Sequence, residues 1–329
     1  MPHDIDSMMY FGQTPWHGLG TRVDKPATAV EAIKAAGLDW EAIKVPVFAK
    51  HERGETLIPD TFAMMRSDRM VGADAAILGT VGSQYEPIQN KDAFRFFDPI
   101  VGEAAAVYHT AGSLGVGERV WILAKLPDDI KVAGQDITEK FLLLYNSHDG
   151  SGAAQVKFTP IRVVCQNTLS MALKGDSPLI KIAHTRGVSG RMDEVHQAVD
   201  FIKTTYAKIE DNFQAWAKVP VDDARLAKYI EQVFPLKETK DQNRAKKVEQ
   251  FRRDVSKLFK DGKGNTAEGV KGTLWAAYNG VTEFADHRLV AGTRTQSGRV
   301  ERLWFGDAAK LKESAYDAAA ELADSWKKA

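Results

Sequence analysis

The stretch "KFLLLYNSHDGSGAAQVKFTPIRVVCQNTLSMALKG", Lys140 to Gly175, decides how much of this chain is sheet and how much is helix. Asp149-Gly150 is strong turn chemistry, because aspartate bonds its own backbone and glycine accepts a positive φ. "EKFLLLYNSHDGSGAAQVKFTP" therefore reads as a β-hairpin turning at Asp149-Gly150. Beyond Phe158 two readings stay open. Thr159 can cap a helix, Pro160 suits its first position and Gly175 its C-terminal stop. Ile161, Val164/Cys165, Thr168/Leu169 and Ala172 would then face inward, with Arg162, Gln166 and Ser170 as a polar strip at four-residue steps. Alternatively the β-branched run continues a strand from Pro160 to Val164, and the helix starts at Asn167.

Working outward, the first half alternates short strands and helices. "TAVEAIKAAGL" reads as a helix capped by Thr28, stopped by Gly37, with Val30, Ile33 and Ala36 on one side. "EAIKVPVFAK", "TLIPDTFAMMRS" and "AAILGTV" read as strands. "NKDAFRFFDPIVGE" reads as a helix from Asn90 with Ala93, Phe94, Phe97 and Ile100 near one face. "AAVYHTAGSLGVGERVWILAKLP" reads as a hairpin of strands Ala105–Thr110 and Arg119–Lys125 with a glycine-rich loop.

The second half is helical. Met192, Val195, Val199, Ile202, Tyr206, Ile209, Phe213 and Trp216 alternate steps of three and four, an apolar helical stripe. Pro220 ends it. Helices follow at Asp222–Phe234 and Asp241–Lys260, then from Thr266 to about Ala285, and from Asp307 onward. "HRLVAGTRTQSGRVERLWFG" reads as a loop with four arginines. The expected fold class is α+β: an antiparallel β-sheet with β-hairpins packed by helices, then a C-terminal helical region. A boundary near Gly187 separates residues 1–187 from 188–329, which can still pack as one unit.

Composition narrows the function. The chain has 329 residues with 44 basic and 44 acidic side chains, so it is no uniformly basic nucleic-acid coat. Lys237–Lys263 nevertheless holds ten Lys/Arg against five Asp/Glu. No apolar run approaches the roughly 18 residues of a membrane span, and the N-terminus lacks signal-peptide features. One cysteine excludes an internal disulfide framework and points to a reducing cytoplasm.

The motifs do not assemble a catalytic centre. Cys165 has no base beside it and reads as a small buried hydrophobe. His148-Asp149 reads as turn chemistry, and the histidines show no metal-ligand spacing. "GSLGVGERV", Gly112–Val120, is GxxGxG between strands and reads as a hairpin loop rather than a phosphate cradle. No cofactor or metal is expected. What remains is basic: Arg162, Gln166, Arg244, Lys246, Lys247, Arg252, Arg253, Arg288, Arg294, Arg299 and Arg302, with Trp304 beside them. Guanidinium and ammonium groups hold phosphates, and a ring stacks on unpaired bases.

"PWHGLG", "TAGSLGVGERVWILAKLP", "LLYNSHDGSGA", "FTPIRVVCQNTLSMAL" and "TLWAAYNGVTEFADH" together resemble the phage- and plasmid-borne family known as domain of unknown function 932, in order from about Met9 to Phe305. The resemblance implies a bacterial cytoplasmic setting and a mobile-element origin. It supplies no catalytic residues. The expectation is therefore a nucleic-acid-binding protein of phage or plasmid recombination or replication, with single-stranded DNA annealing as its specific form, and self-association. The alternative is a non-enzymatic protein-interaction or host-modulating protein.

Overall fold

The computed structural model describes residues 5–12, 19–103, 106–162, 167–168, 180–185, 198–236, 241–294, 296–304 and 306–327. The elements open with β1 (Ile5–Phe11), β2 (Thr21–Val23), α1 (Ala29–Ala35), β3 (Ala42–His51), β4 (Gly54–Arg66), β5 (Ile77–Val81) and α2 (Asn90–Glu103). Strands β6 (Val107–Leu114), β7 (Arg119–Lys125), β8 (Ile130–Val132), β9 (Asp136–Glu139), β10 (Phe141–Ser147), β11 (Ala154–Phe158), β12 (Ile161–Arg162), β13 (Asn167–Thr168) and β14 (Ile180–Ile182) follow. The described helices after them are α3 (Ala198–Ala217), α4 (Asp223–Val233), α5 (Gln242–Asp261), α6 (Leu274–Glu283), a π-helical turn (Phe284–Leu289), α7 (Gln296–Trp304) and α8 (Asp307–Lys327). The architecture is α+β with antiparallel-dominated sheets and a helical C-terminal region.

The chain forms two compact units that interleave in sequence. One takes Met1–Pro127, Phe141–Lys157 and Pro178–Ile202; the other takes Asp128–Lys140, Phe158–Ser177 and Lys203–Ala329. Gly187, the boundary read from sequence, lies outside the described residues.

The first unit holds a seven-stranded sheet in the order β14-β11-β10-β7-β6-β1-β2 and a three-stranded sheet, β3-β4-β5. Strand β10 is buried at all seven positions, so both of its faces are covered, and it pairs with β7 from Phe141↔Lys125 to Ser147↔Arg119. Helix α1 starts as expected: Thr28 and Glu31 form a reciprocal capping box, and Gly37 turns left-handed at φ 64. Its buried face differs, because Ala32 and Ala36 go inward while Val30 is exposed. Ala93, Phe94, Phe97 and Ile100 of α2 are buried, the face read from sequence.

In the second unit α5 and α8 each pack on α6, whose residues Leu274 to Thr282 are all buried. Phe213 and Trp216 of α3 meet Trp275 and Tyr278 of α6 in one aromatic cluster, with ring centroids 4.5 Å apart for Phe213–Trp275 and 5.3 Å for Trp216–Tyr278. Tyr206 and Ile209, lower on the same apolar stripe, are also buried. Trp275 Nε1 donates to Asp136 Oδ2 at 2.7 Å, tying α6 to β9. Strands β13-β12-β9-β8 form a small sheet here.

Three sequence readings are corrected. Of the two readings beyond Phe158, the helix from Thr159 is overturned and the strand is borne out at Ile161-Arg162, which pairs with Glu139-Thr138 on one side and Thr168-Asn167 on the other, while Asn167 lies in a strand and not at a helix start. The backbone groups of β9 supply the pairing that capping alone did not reveal. Cys165, Gln166 and Ser170 lie outside the described residues. Helix α6 begins at Leu274, capped by Thr273 accepting from Ala276 N, because Gly269 and Gly272 are left-handed and break the chain after Thr266. Finally, the four-arginine segment is not a loop throughout: Arg288 lies in the π-helical turn, and Arg299 and Arg302 lie on α7.

Candidate nucleic-acid interface

Helix α5 is amphipathic by position. Asp241 caps it, accepting from Asn243 N and Arg244 N. Val255, Leu258 and Phe259 are buried, and Val248 and Phe251 are half-buried. On the opposite face Lys246, Gln250, Arg253, Lys257 and Lys260 are all exposed at steps of four, three, four and three. At a helical rise of about 1.5 Å per residue, Lys246 and Lys260 stand roughly 21 Å apart.

Two carboxylates of α5 are turned to other partners, and a third, Asp261, is exposed one turn beyond Lys257. Glu249 accepts from Arg252 at 3.0 Å, and Asp254 pairs with Arg288 at 3.2 Å. Lys246 and Lys257 have no ion-pair partner among the described residues, while Lys260 meets Asp223 at 3.5 Å with both side chains exposed.

The other basic candidates divide by what they touch. Arg244 is exposed in the first turn of α5. Lys247 lies over the Phe251 ring at 5.6 Å, and Arg253 donates to Gln250 Oε1 at 2.8 Å. Arg294 is exposed. Arg252 is committed internally: Nε and Nη2 donate to the Phe234 carbonyl at 3.1 and 2.8 Å, satisfying the end of α4. Arg299 donates to Asp286 O at 2.9 Å. Arg302 spans Asp307, Thr293 Oγ1 and Leu289 O, and its bond to Asp307 raises its pKa while holding the Asp307 carboxyl below its ordinary value. Trp304 is half-buried. Arg162 sits on β12 opposite Thr138 and Asn167; nothing further about its side chain is described.

The structure thus groups Lys246 and Arg253 with two cations absent from the sequence-derived set, Lys257 and Lys260. The signal was present: counting from Lys246 in steps of seven, four and three finds them. It was obscured because Arg252 and Arg253 look equivalent in sequence, and only packing tells the anchored arginine from the exposed one.

The other motifs resolve as structure. Glu118 accepts from Val116 N at 2.6 Å, so the Gly115–Gly117 turn closes on a carboxylate of its own. A Cβ on Gly117 would stand 3.1 Å from both Arg66 and Trp40, whose guanidinium and ring stack at 4.5 Å. His148 is fully buried; burial first, and then His184, depress its pKa to about 3, so the ring is neutral. Burial pushes the Asp149 carboxyl up, but hydrogen bonds from Ser147 and Ser151 with the Arg119 charge hold it below the ordinary value. Among the described residues no group of three or more His, Cys, Asp or Glu is placed to hold a metal ion, and no helix is long and apolar enough to cross a membrane.

Fold and site together define an α+β protein whose helical unit presents a line of cations. The chain belongs to the family described as Domain of unknown function (DUF932), whose model matches residues 77–304. The match does not extend to "PWHGLG", Pro15 to Gly20, which the sequence reading had included. No curated protein and no solved structure matches the chain.

Proposed function

We propose that this protein binds nucleic acid through the exposed cations of α5. The observation that carries the reading is the Lys246–Arg253–Lys257–Lys260 line, with Glu249 and Asp254 drawn off to Arg252 and Arg288. Such a line neutralises phosphates and makes binding salt-dependent. A bacterial cytoplasmic setting on phage or plasmid DNA, and self-association, belong to the same proposal and rest on the family resemblance. The test is fluorescence anisotropy with labelled oligonucleotides, with sizing of the free protein alongside. Lys246→Glu/Arg253→Glu/Lys257→Glu should weaken binding at least tenfold while keeping the melting temperature. Equal binding by wild type and triple variant would remove α5 from the interface.

A second reading has its own observation. The outer part of the β3–β4 hairpin is exposed on both strands, and Phe48 and Leu57, paired across it, are 54% and 52% exposed. Exposed apolar pairs of this kind mark protein contacts. Under that reading Phe48→Ser/Leu57→Ser changes the sedimentation of the protein or its partner complexes and leaves nucleic-acid binding intact.

A further inference from the structure

We infer that the nucleic acid held by α5 is a duplex, recognised through its phosphates without base readout. The inference rests on the nucleic-acid reading above and names the substrate class of the same surface. Sequence-tolerant single-strand binders combine a basic groove with rings on which bases stack. Among the described residues of the second unit no aromatic ring is exposed. Trp216, Trp275, Tyr229, Tyr278 and Phe213 are fully buried. Trp326 is half-buried beneath Arg225 at 5.1 Å, and Phe251 is half-buried beneath Lys247. Trp304, the ring that motivated a single-strand expectation, is half-buried on α7. The exposed large apolar residues described in this unit are Ile137 and Leu236, both aliphatic.

Base edges fare no better: Arg253, the arginine of the line that could fork onto guanine, is drawn to Gln250. An amide among the cations could read adenine in a major groove. Gln250 is the amide in the line, and both ends of its side chain are used: Nε2 donates to Asp254 Oδ1 at 3.1 Å, and Oε1 accepts from Arg253 at 2.8 Å. What α5 offers is charge on a straight, well-anchored rod. A duplex carries about one charge per 1.7 Å of axis, against about 3.4 Å along one strand, so a rigid line roughly 21 Å long meets about twice the phosphate charge on a duplex.

The experiment compares one labelled oligonucleotide alone, the same strand annealed to its complement, and a duplex of scrambled sequence, by anisotropy over a salt series. The duplex should bind several-fold more tightly than the single strand, and the scrambled duplex within about twofold of the first. Between about 50 and about 200 mM salt the duplex affinity should fall roughly a hundredfold, as four released counterions require. Lys257→Glu should flatten that dependence by about one unit of slope. Tighter binding of the single strand, or a strong preference between the two duplexes, with the triple variant still inactive, would overturn this inference and leave the nucleic-acid reading standing. No binding of any oligonucleotide at low salt would overturn both.

Discussion

The imidazole of His148 donates from Nε2 to Oδ1 of Asn90 across 3.0 Å, with both side chains buried. The tautomer follows from Asn90, whose Nδ2 is spent on the carbonyls of Leu38 and Trp40, leaving only its oxygen to face the ring. Trp40 in turn packs on His148 with ring centroids 5.3 Å apart. The contact locks the start of α2 to the end of β10, and burial keeps the ring uncharged.

Burial of the His148 ring makes stability pH-dependent. The folded ring titrates near 3 and the unfolded one near 6.5. Stability is therefore full above 6.5 and is lost as pH falls toward 3, because there the unfolded chain binds a proton that the folded chain refuses. By pH 5 the loss from this residue should be about 2 kcal/mol. His184, also depressed by burial, acts in the same direction. Urea melts at pH 7.5 and pH 5 measure it. His148→Gln should shrink the difference, and an unchanged difference would show that other groups govern it.

Arg252 and Arg253 should separate structure from binding. Removing the Arg252 side chain strips two donors from the Phe234 carbonyl and one from Glu249. Arg252→Ala should cost about 1.5–3 kcal/mol, the range for hydrogen bonds involving a charged group. Arg253→Ala should leave the melting temperature nearly unchanged and lower nucleic-acid affinity. Thermal melts paired with anisotropy read both effects; similar stability losses in the two variants would contradict the assignment.

Trp275→Phe keeps the ring against Phe213 but removes the 2.7 Å donation to buried Asp136. The expected loss is about 1.5–3 kcal/mol in chemical denaturation. A variant as stable as wild type would mean that water or another donor replaces the indole.

Gly79→Ala should be destabilising although the glycine sits in an ordinary strand. A Cβ there would stand 2.6 Å from the Asp149 carbonyl, which is backbone and cannot swing aside. The strand and the His148-Asp149-Gly150 turn must part, at a cost of about 1–3 kcal/mol. Gly152→Ala, with open space around its Cβ position, is the matched control.

The sequence by itself determined the features whose partners are close along the chain. Thr28 meets Glu31 three residues away, Asp222 meets Arg225, and Asp241 meets Asn243 and Arg244, so each helix start was legible from spacing. The turn at Asp149-Gly150, the inward face of α2, and the apolar stripe through Phe213 and Trp216 were legible for the same reason: period and turn chemistry are local. The tertiary structure decided the rest, where the partner comes from afar. Ile161-Arg162 became a strand because β9, more than twenty residues upstream, offers its edge. Arg252 became an anchor because the end of α4, eighteen residues back, leaves a carbonyl beside it, and Arg253 stayed in solvent because its neighbour is only Gln250. Two arginines with equal propensity and equal charge differ in role because a helix end needs a donor at one position and not at the next.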